Sequence, residues 1–336
     1  MSEQVVIVDN ESISQDNDFY CCDNVECKSL SEGLSKKFQV LLIGRKSKLK
    51  RSHKINLKSI NFSSNIFAFL FNIFKTFKNK KTKYLLVAIS PYTFLASLLL
   101  FLFKKNYFIY LRSNGYEEYK AILGFLGPPI YHIMYVFVTF RSKIITCQKR
   151  LVKKKNYNLV FPSELDDQWR KNITKPLLDK PRLLYVGRIK VEKGIFNLIK
   201  IFDRVAGDKE LSIVGKIEGA KINKEKINLL GFESNISSLI QTYDKHNITI
   251  LPSFTEAHPK ILDESLARFR PVIIFKEIDH VIQNRNGIFV AERNEKSLSQ
   301  VIEFVMKNYH NIQEEIKKNK LPTKDQFISE IGRILD

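Results

Sequence analysis

Residues 250–273 run ILPSFTEAHPKILDESLARFRPVI. The apolar run that enters this stretch, NITILPS (247–253), stops at Pro252, and a polar loop carrying Glu256 follows. Pro259 suits the first turn of a helix, where its missing N–H has no intrahelical partner to lose. That helix carries Glu264, and RPVIIF (270–275) returns as a second short apolar run. Strand, loop, helix and strand in this order form a βαβ unit, whose two strands lie parallel.

The same alternation extends in both directions. Upstream lie RLLYVGR (182–188), the helical KGIFNLIKIFDRVAG (193–207), ELSIVGK (210–216) and INLLGF (227–232). Downstream lie GIFVAE (287–292), the amphipathic LSQVIEFVMKNY (298–309) and a last helical segment, TKDQFISEIGRILD (323–336). An earlier series, QVVIVDN (4–10), FQVLLIG (38–44), YLLVAIS (84–90), YFIYLRS (107–113) and KIITCQ (143–148), is separated by helix-length stretches. The expected fold class is α/β: two consecutive doubly wound, Rossmann-like units, with ligands at strand C-terminal ends and in the cleft between units. The boundaries expected are 1–165 for the first unit and 181–320 for the second. The polar SELDDQWRKNITKPLLDKP (163–181) makes 166–180 a linker. The helix of 321–336 is expected to return toward the first unit.

A chain of 336 residues is comfortable for two domains, and 44% apolar with 27% charged residues is a globular balance. Cys21, Cys22, Cys27 and Cys147 form neither a disulfide framework nor paired CxxC metal spacing, so reduced thiols are expected. No signal-peptide pattern precedes VVIVDN, and the expected location is cytoplasmic.

The formal charge of +20 is uneven. Residues 36–155 hold 25 Lys and Arg against only Glu117 and Glu118, a net of +23, so the remainder sums to −3. The same half is apolar: Tyr84–Phe103 and Ala121–Phe140 contain no Lys, Arg, Asp or Glu. Each run has the length of a bilayer span, but Pro91 divides the first and GPP with His132 interrupts the second. A cytosolic face that docks on an anionic membrane is therefore expected, rather than a span. In SSNIFAFLFNIFKTFKNKKTK (63–83), Phe67, Leu70, Phe71, Phe74 and Phe77 recur at helical spacing, which suits either a core stripe or a lipid-facing one. Zinc-finger spacing, RNP-like aromatics and a basic zipper are absent, so nucleic acid is not an expected partner.

Two places carry chemistry. In LLYVGRIKVEKGIFNLI (183–199), Gly187 turns the chain after a strand, and Arg188 and Lys193 flank the start of a helix. A helix N-terminus attracts phosphate, and a guanidinium fork with an ammonium can clamp a diphosphate; the plain alternative is two solvated cations. GxxxxGK[ST] is missing, so nucleotide triphosphate hydrolysis is not indicated. Glu256 and Glu264 lie about two turns apart, and a carboxylate accepts from paired hydroxyls such as those of a ribose or hexose. Their plain alternatives are a helix-dipole partner and a solvated helix acid.

YVGRIKVEKG together with LPSFTEAHPKILDESLARFRPVI resembles the nucleotide-sugar domain of glycosyltransferase family 4, whose fold is the two-Rossmann GT-B architecture. Gly187, Arg188, Lys193, Gly194, Ser253, Glu256, Pro259, Glu264, Ala267, Pro271 and Val272 fall on the family's pattern, over roughly 181–305. LLGF (229–232) resembles the loop under the nucleobase. The resemblance implies a retaining, metal-independent transfer of a hexose or related sugar from a nucleotide diphosphate sugar, with no cofactor. Arg188 and Lys193 would neutralise the leaving diphosphate, Glu264 would hold the ribose, and Glu256 would position the donor sugar. Gly187, Gly231, Phe232, His258, Pro259 and Lys260 complete the implied donor site, and no metal ligands are implied. This chain departs from the pattern at Ala257-His258, where the family has Gly-Phe, and at Phe269, where it has Gly; both would narrow the space near the donor. In the first half the match is weaker: YLRSNGYEEY (110–119) offers Arg112 and Asn114 on the acceptor side, and DND (16–18) is expected to be no metal motif. The basic, phenylalanine-rich half suits a polyprenyl-diphosphate-linked saccharide acceptor, as in bacterial O-antigen lipopolysaccharide or capsule assembly, with the protein peripheral on the inner membrane face. Inverting chemistry, a soluble acceptor, or a non-catalytic membrane-binding module with a decayed cleft are the alternatives.

Overall fold

A computed structural model describes residues 3–16, 19–215 and 227–336. Asn17 and Asp18 of the DND triplet, and Lys216 at the end of ELSIVGK, lie outside the described residues. The chain divides into two compact units, 1–164 with 323–336, and 165–322.

The first unit contains β1 (Gln4–Asp16), β2 (Phe19–Cys22), α1 (Val25–Leu34), β3 (Gln39–Lys46), β4 (His53–Ile55), β5 (Ile60–Ser63) and α2 (Ile66–Lys75). It continues with β6 (Lys83–Val87), α3 (Pro91–Leu102), β7 (Tyr107–Leu111), α4 (Gly115–Leu123), α5 (Gly127–Phe140), β8 (Lys143–Thr146) and β9 (Asn158–Leu159). Strands β5-β3-β1-β6-β7-β8-β9 lie side by side, all parallel, while β2 pairs antiparallel with the end of β1 and with β4. Val5 to Val8 are all buried, as a strand covered on both faces requires. Side-chain caps at Asn24 and Asn65 and a capping box at Ser90 set where α1, α2 and α3 begin.

Two apolar segments resolve differently from their patterns. In α2 the buried residues are Phe69 and Ile73, whereas Phe67, Phe71 and Phe74 are exposed, so most of the stripe read from spacing faces outward. The stretch 115–140 is long and apolar enough to cross a membrane by length and composition. It breaks at Gly124 (φ 61°), and α5 folds back on α4, where a Cβ on Gly127 would collide with the Tyr119 carbonyl.

The second unit contains β10 (Arg182–Val186), α6 (Ile195–Arg204), β11 (Glu210–Val214), β12 (Ile227–Gly231), α7 (Ile236–Lys245) and β13 (Ile248–Leu251). It ends with α8 (Lys260–Ala267), β14 (Val272–Phe275), β15 (Ile288–Ala291), α9 (Glu295–Lys307) and α10 (Tyr309–Lys317). Its sheet is wholly parallel in the order β12-β11-β10-β13-β14-β15. The strand order reverses between β10 and β13, and a crevice at the carboxyl ends of these two strands is where open α/β sheets bind ligands. Leu198, Phe202, Ile250, Leu262, Ile274 and Ile302 pack in one core, each burial contributing roughly 1.5–3 kcal/mol. The final helix, α11 (Lys324–Leu335), belongs to the first unit, where Phe327, Ile331 and Leu335 join Leu30, Leu34 and Phe38.

Residues 166–180 are not a free connector, which corrects the reading from polarity. Trp169 is buried against Leu184, Val214 and Tyr243. The fully buried Arg268 guanidinium donates to the carbonyls of Trp169 (3.0 Å), Lys171 (2.7 Å) and Asn172 (2.9 Å) and pairs with Asp244 at 2.6 Å. Arg270 donates to the Thr174 carbonyl at 2.9 Å. The segment is held through backbone oxygens, which leave no trace in a hydropathy pattern.

Candidate active site

The loops after β10 and β13 meet at the switch point of the second sheet. Gly187 N–H donates to Val214 O at 2.9 Å and Gly215 N–H to Gly231 O at 2.8 Å, lacing together the ends of β10, β11 and β12. The first loop makes a 3-10 turn over Val191–Lys193 and enters α6 through Gly194, at φ 68°. A Cβ on Gly194 would fall on the Pro252 carbonyl, so only glycine lets the two loops lie this close. Phe254 N–H donates to Glu192 O at 3.1 Å across the same contact.

That approach brings three side chains to one point. The Lys193 ammonium lies 2.6 Å from Glu256 Oε1, and the buried Ser253 hydroxyl donates to the same oxygen at 2.7 Å. The Glu256 carbonyl is bonded to His280 Nε2 at 2.9 Å. Arg188 is exposed, and its carbonyl accepts from the Tyr185 hydroxyl at 2.7 Å. Burial first, then the Glu256 carboxylate, push the Tyr185 phenol up, while Arg188 opposes them. The charges of Glu256 and Arg188 therefore act on one buried hydroxyl.

Glu264, on α8, accepts from the Tyr243 hydroxyl of α7 at 2.9 Å. Pro259 is the N-cap residue of α8 rather than a residue of its first turn, and Lys260 opens the helix. His258 is buried rather than solvated: its Nε2 lies 3.2 Å from Asp263 Oδ2, and Asp263 pairs with Arg285 at 2.6 Å. Burial raises the Asp263 carboxyl, but the His258 bond and the Arg285 guanidinium outweigh it and hold the group below its ordinary value. Phe269 sits at φ 57°, the left-handed region that explains a glycine in the related pattern. Its ring packs on the core and beneath Lys317 of α10. Gly231 ends β12, and Phe232 is exposed.

One residue escaped the sequence reading. Arg293, just after β15, donates to the carbonyls of Pro252 (2.9 Å) and Ser253 (3.3 Å) and pairs with Glu277 at 2.6 Å. Its guanidinium also lies 4.1 Å from the Phe254 ring centre and 4.4 Å from that of Phe275. It thus holds the loop that carries Glu256. The only signal in the chain was an Arg at the end of the strand flanking β14, within an ordinary polar run.

The acceptor-side candidates lie in the first unit. Arg112, at the end of β7, is 3.8 Å from Glu26 Oε1 and opposes the upward push that burial gives the Asp9 carboxyl. Asn114 caps α4 in position only, making no side-chain cap bond. Among the described residues no cluster of three His, Cys, Asp or Glu could hold a metal ion.

Residues 180–308 match the family model described as "Glycosyl transferases group 1". That segment covers the whole Lys193–Ser253–Glu256 cluster, so the candidate site lies within the part of the chain that is similar to group 1 glycosyltransferases. A curated relative, an uncharacterized glycosyltransferase of Haemophilus influenzae, is 25% identical over 215 residues, 59% of this chain. The chain spans 61% of that relative's length. Among solved structures, Anabaena HepE in complex with UDP and glucose aligns with a TM-score of 0.72 at 10% identity, covering 99% of both chains. WaaG, a glycosyltransferase involved in lipopolysaccharide biosynthesis, aligns at 0.66 and 12% identity over 98% of this chain and 99% of its own. Sucrose-phosphate synthase of Thermosynechococcus elongatus aligns at 0.70 and 14%, over 99% and 98%. The fold is GT-B, with two Rossmann-like units.

Proposed function

We propose that the protein is a hexosyltransferase that moves a sugar from a nucleotide diphosphate sugar to a lipid-linked saccharide, with retention and without a metal or cofactor. The observation that carries this reading is the Lys193–Ser253–Glu256 cluster at the strand-order reversal, within the part of the chain that is similar to group 1 glycosyltransferases. In the proposed reaction the bond from the sugar's anomeric carbon to the diphosphate breaks, and its electron pair stays on the phosphate oxygen. The acceptor hydroxyl forms the new bond on the same face, and its proton passes to that phosphate oxygen. Arg188 and Lys193 stabilise the charge that develops on the leaving group. Glu256, already oriented by Ser253, receives a donor-sugar hydroxyl, and Glu264 a ribose hydroxyl. Gly187, Gly231, Phe232, His258, Pro259 and Lys260 border the donor, with Arg112 and Asn114 serving the acceptor.

The fold shared with HepE, which was solved with UDP and glucose, supports a nucleoside diphosphate donor. The fold shared with WaaG, involved in lipopolysaccharide biosynthesis, supports that setting. The basic first half supports a polyprenyl-diphosphate-linked acceptor of O-antigen or capsule type at the cytoplasmic membrane face. The test is purified protein incubated with a panel of nucleotide sugars and a bacterial lipid extract, followed by mass spectrometry of the lipids. A hexose-extended lipid that Glu256→Ala abolishes is expected, and product anomeric configuration separates retention from inversion. The absence of both transfer and donor hydrolysis with every nucleotide sugar would overturn the reading.

A further inference from the structure

One side of the first unit presents a layer of helices in which α2 packs on α3, α3 on α5, and α5 on α4. Its outer face is apolar. Phe71, Leu102, Phe125, Ile133, Phe137 and Phe140 are between 54 and 84% exposed, far more apolar surface than isolated exposed side chains explain. Where α3 and α5 end together, a pocket of about 450 Å³ opens, lined by Phe101, Lys104, Lys105, Asn106, Tyr107 and Arg141. The Arg141 guanidinium lies 5.2 Å from the Phe101 ring centre, and Lys105 Nζ donates to the Phe77 carbonyl at 3.2 Å. None of the three cations pairs with a carboxylate among the described residues, and between residues 36 and 155 the only carboxylates, Glu117 and Glu118, sit in the first turn of α4. Three like charges gathered without a counter-charge repel one another until an anion joins them.

We propose that this pocket binds the phosphate of an anionic phospholipid headgroup, while the surrounding apolar side chains enter the acyl region. Arg141 supplies a planar fork suited to phosphate oxygens, Lys104 and Lys105 supply point charges, and Asn106 supplies a neutral donor. The rim decides for lipid over soluble phosphate: Phe101, Leu102 and Phe103, all exposed, would stay in water around a small anion but are covered by a bilayer. The 115–140 hairpin lies flat in the interface on this reading, because its limbs of 9 and 14 residues are each shorter than the roughly 20 a span requires. The site deepens the membrane part of the proposed function, but binding is read without any sugar donor. Its failure would leave the transfer reaction standing.

The experiment is co-sedimentation of the full chain with vesicles of phosphatidylcholine alone, or of phosphatidylcholine mixed with phosphatidylglycerol. The wild type is expected to bind the mixed vesicles and to bind the neutral ones much more weakly. Replacing Lys104, Lys105 and Arg141 together by Ser should weaken binding to the mixed vesicles on the order of 100-fold. The same charge loss at the exposed Lys46, Lys48 and Lys58 should weaken it far less. Phe125→Ser with Ile133→Ser should reduce binding to both vesicle types. Should the triple variant not fold, Arg141→Ser alone is read, with a loss of about fivefold expected. Equal binding to both vesicle types, or an equal loss in the remote charge variant, would overturn the pocket. So would complete competition by inorganic phosphate, which assigns it to a soluble anion, or oligonucleotide binding that vesicles do not displace, which assigns it to nucleic acid.

Discussion

The Lys193 ammonium and the Glu256 carboxylate, 63 residues apart in the chain, meet at 2.6 Å because β10 and β13 are neighbours at the reversal of the sheet order. A diphosphate arriving there shares Lys193 with Glu256. Lys193→Ala should weaken nucleoside diphosphate binding by about tenfold to a hundredfold, the worth of one charge-assisted hydrogen bond. Glu256→Gln keeps the shape, should leave diphosphate affinity within about threefold, and should lower transfer. Calorimetric titration with a nucleoside diphosphate, beside transfer rates, separates the two; unchanged affinity in the lysine variant would remove Lys193 from the site.

Gly194 tests the close approach of the loops. Gly194→Ala adds a left-handed strain of about 1 kcal/mol and a collision with the Pro252 carbonyl, so a loss of more than about 2 kcal/mol is expected. Gly207, also at positive φ (90°) but with open space beside it, should lose only about 1 kcal/mol on the same change. Urea unfolding of the two variants makes the comparison, and equal losses would mean that the loops are not held together here.

Arg293 acts on the site through the carbonyls of Pro252 and Ser253. Arg293→Met should cost about 2–4 kcal/mol, through lost hydrogen bonds, lost ring contacts and an unpaired Glu277. It should also lower kcat with little change in KM for donor, since the loop is then misplaced. Arg293→Lys should restore part of the stability but less of the rate, because an ammonium cannot serve both carbonyls and Glu277 as a fork does. A variant that loses stability yet keeps the wild-type kcat would make the residue merely structural.

Asp263 gives a dependence on pH. Its folded-state value lies below the unfolded one, so the native state binds fewer protons between them and gains stability above the unfolded value of about 3.9. That gain disappears as pH falls through the lower, folded value. Asp263→Asn should therefore be less stable at neutral pH but show a flatter fall in urea midpoint on acidification. Parallel acid limbs in the two proteins would contradict the pairing with His258 and Arg285.

Much of the second unit was legible in the chain. Each strand-like run, from RLLYVGR to GIFVAE, became a strand: β10, β11, β13 and β14 are covered parallel strands and so continuously apolar, the edge strand β12 is apolar yet largely exposed, and glycine or proline punctuates the ends. The short β2, β4 and β5 were missed: pieces of three or four residues are fixed by partners brought from elsewhere rather than by local pattern. The stripe on α2 was legible as a period but not as a direction. Spacing identifies one face of a helix, and only the neighbouring sheet selects Phe69 and Ile73 as the buried one.

The sequence by itself determined the alternation of strands and helices, the asymmetry of charge, and the types of side chain after β10 and β13, since all of these are local in the chain. Tertiary structure alone decided that Lys193 rests on Glu256, that Arg293 grips the loop, and that buried arginines hold 166–180 to the second unit. The reason is the same in each case. These bonds join backbone carbonyls or carboxylates to residues from distant parts of the chain, and neither hydropathy nor period encodes which partner the fold will bring.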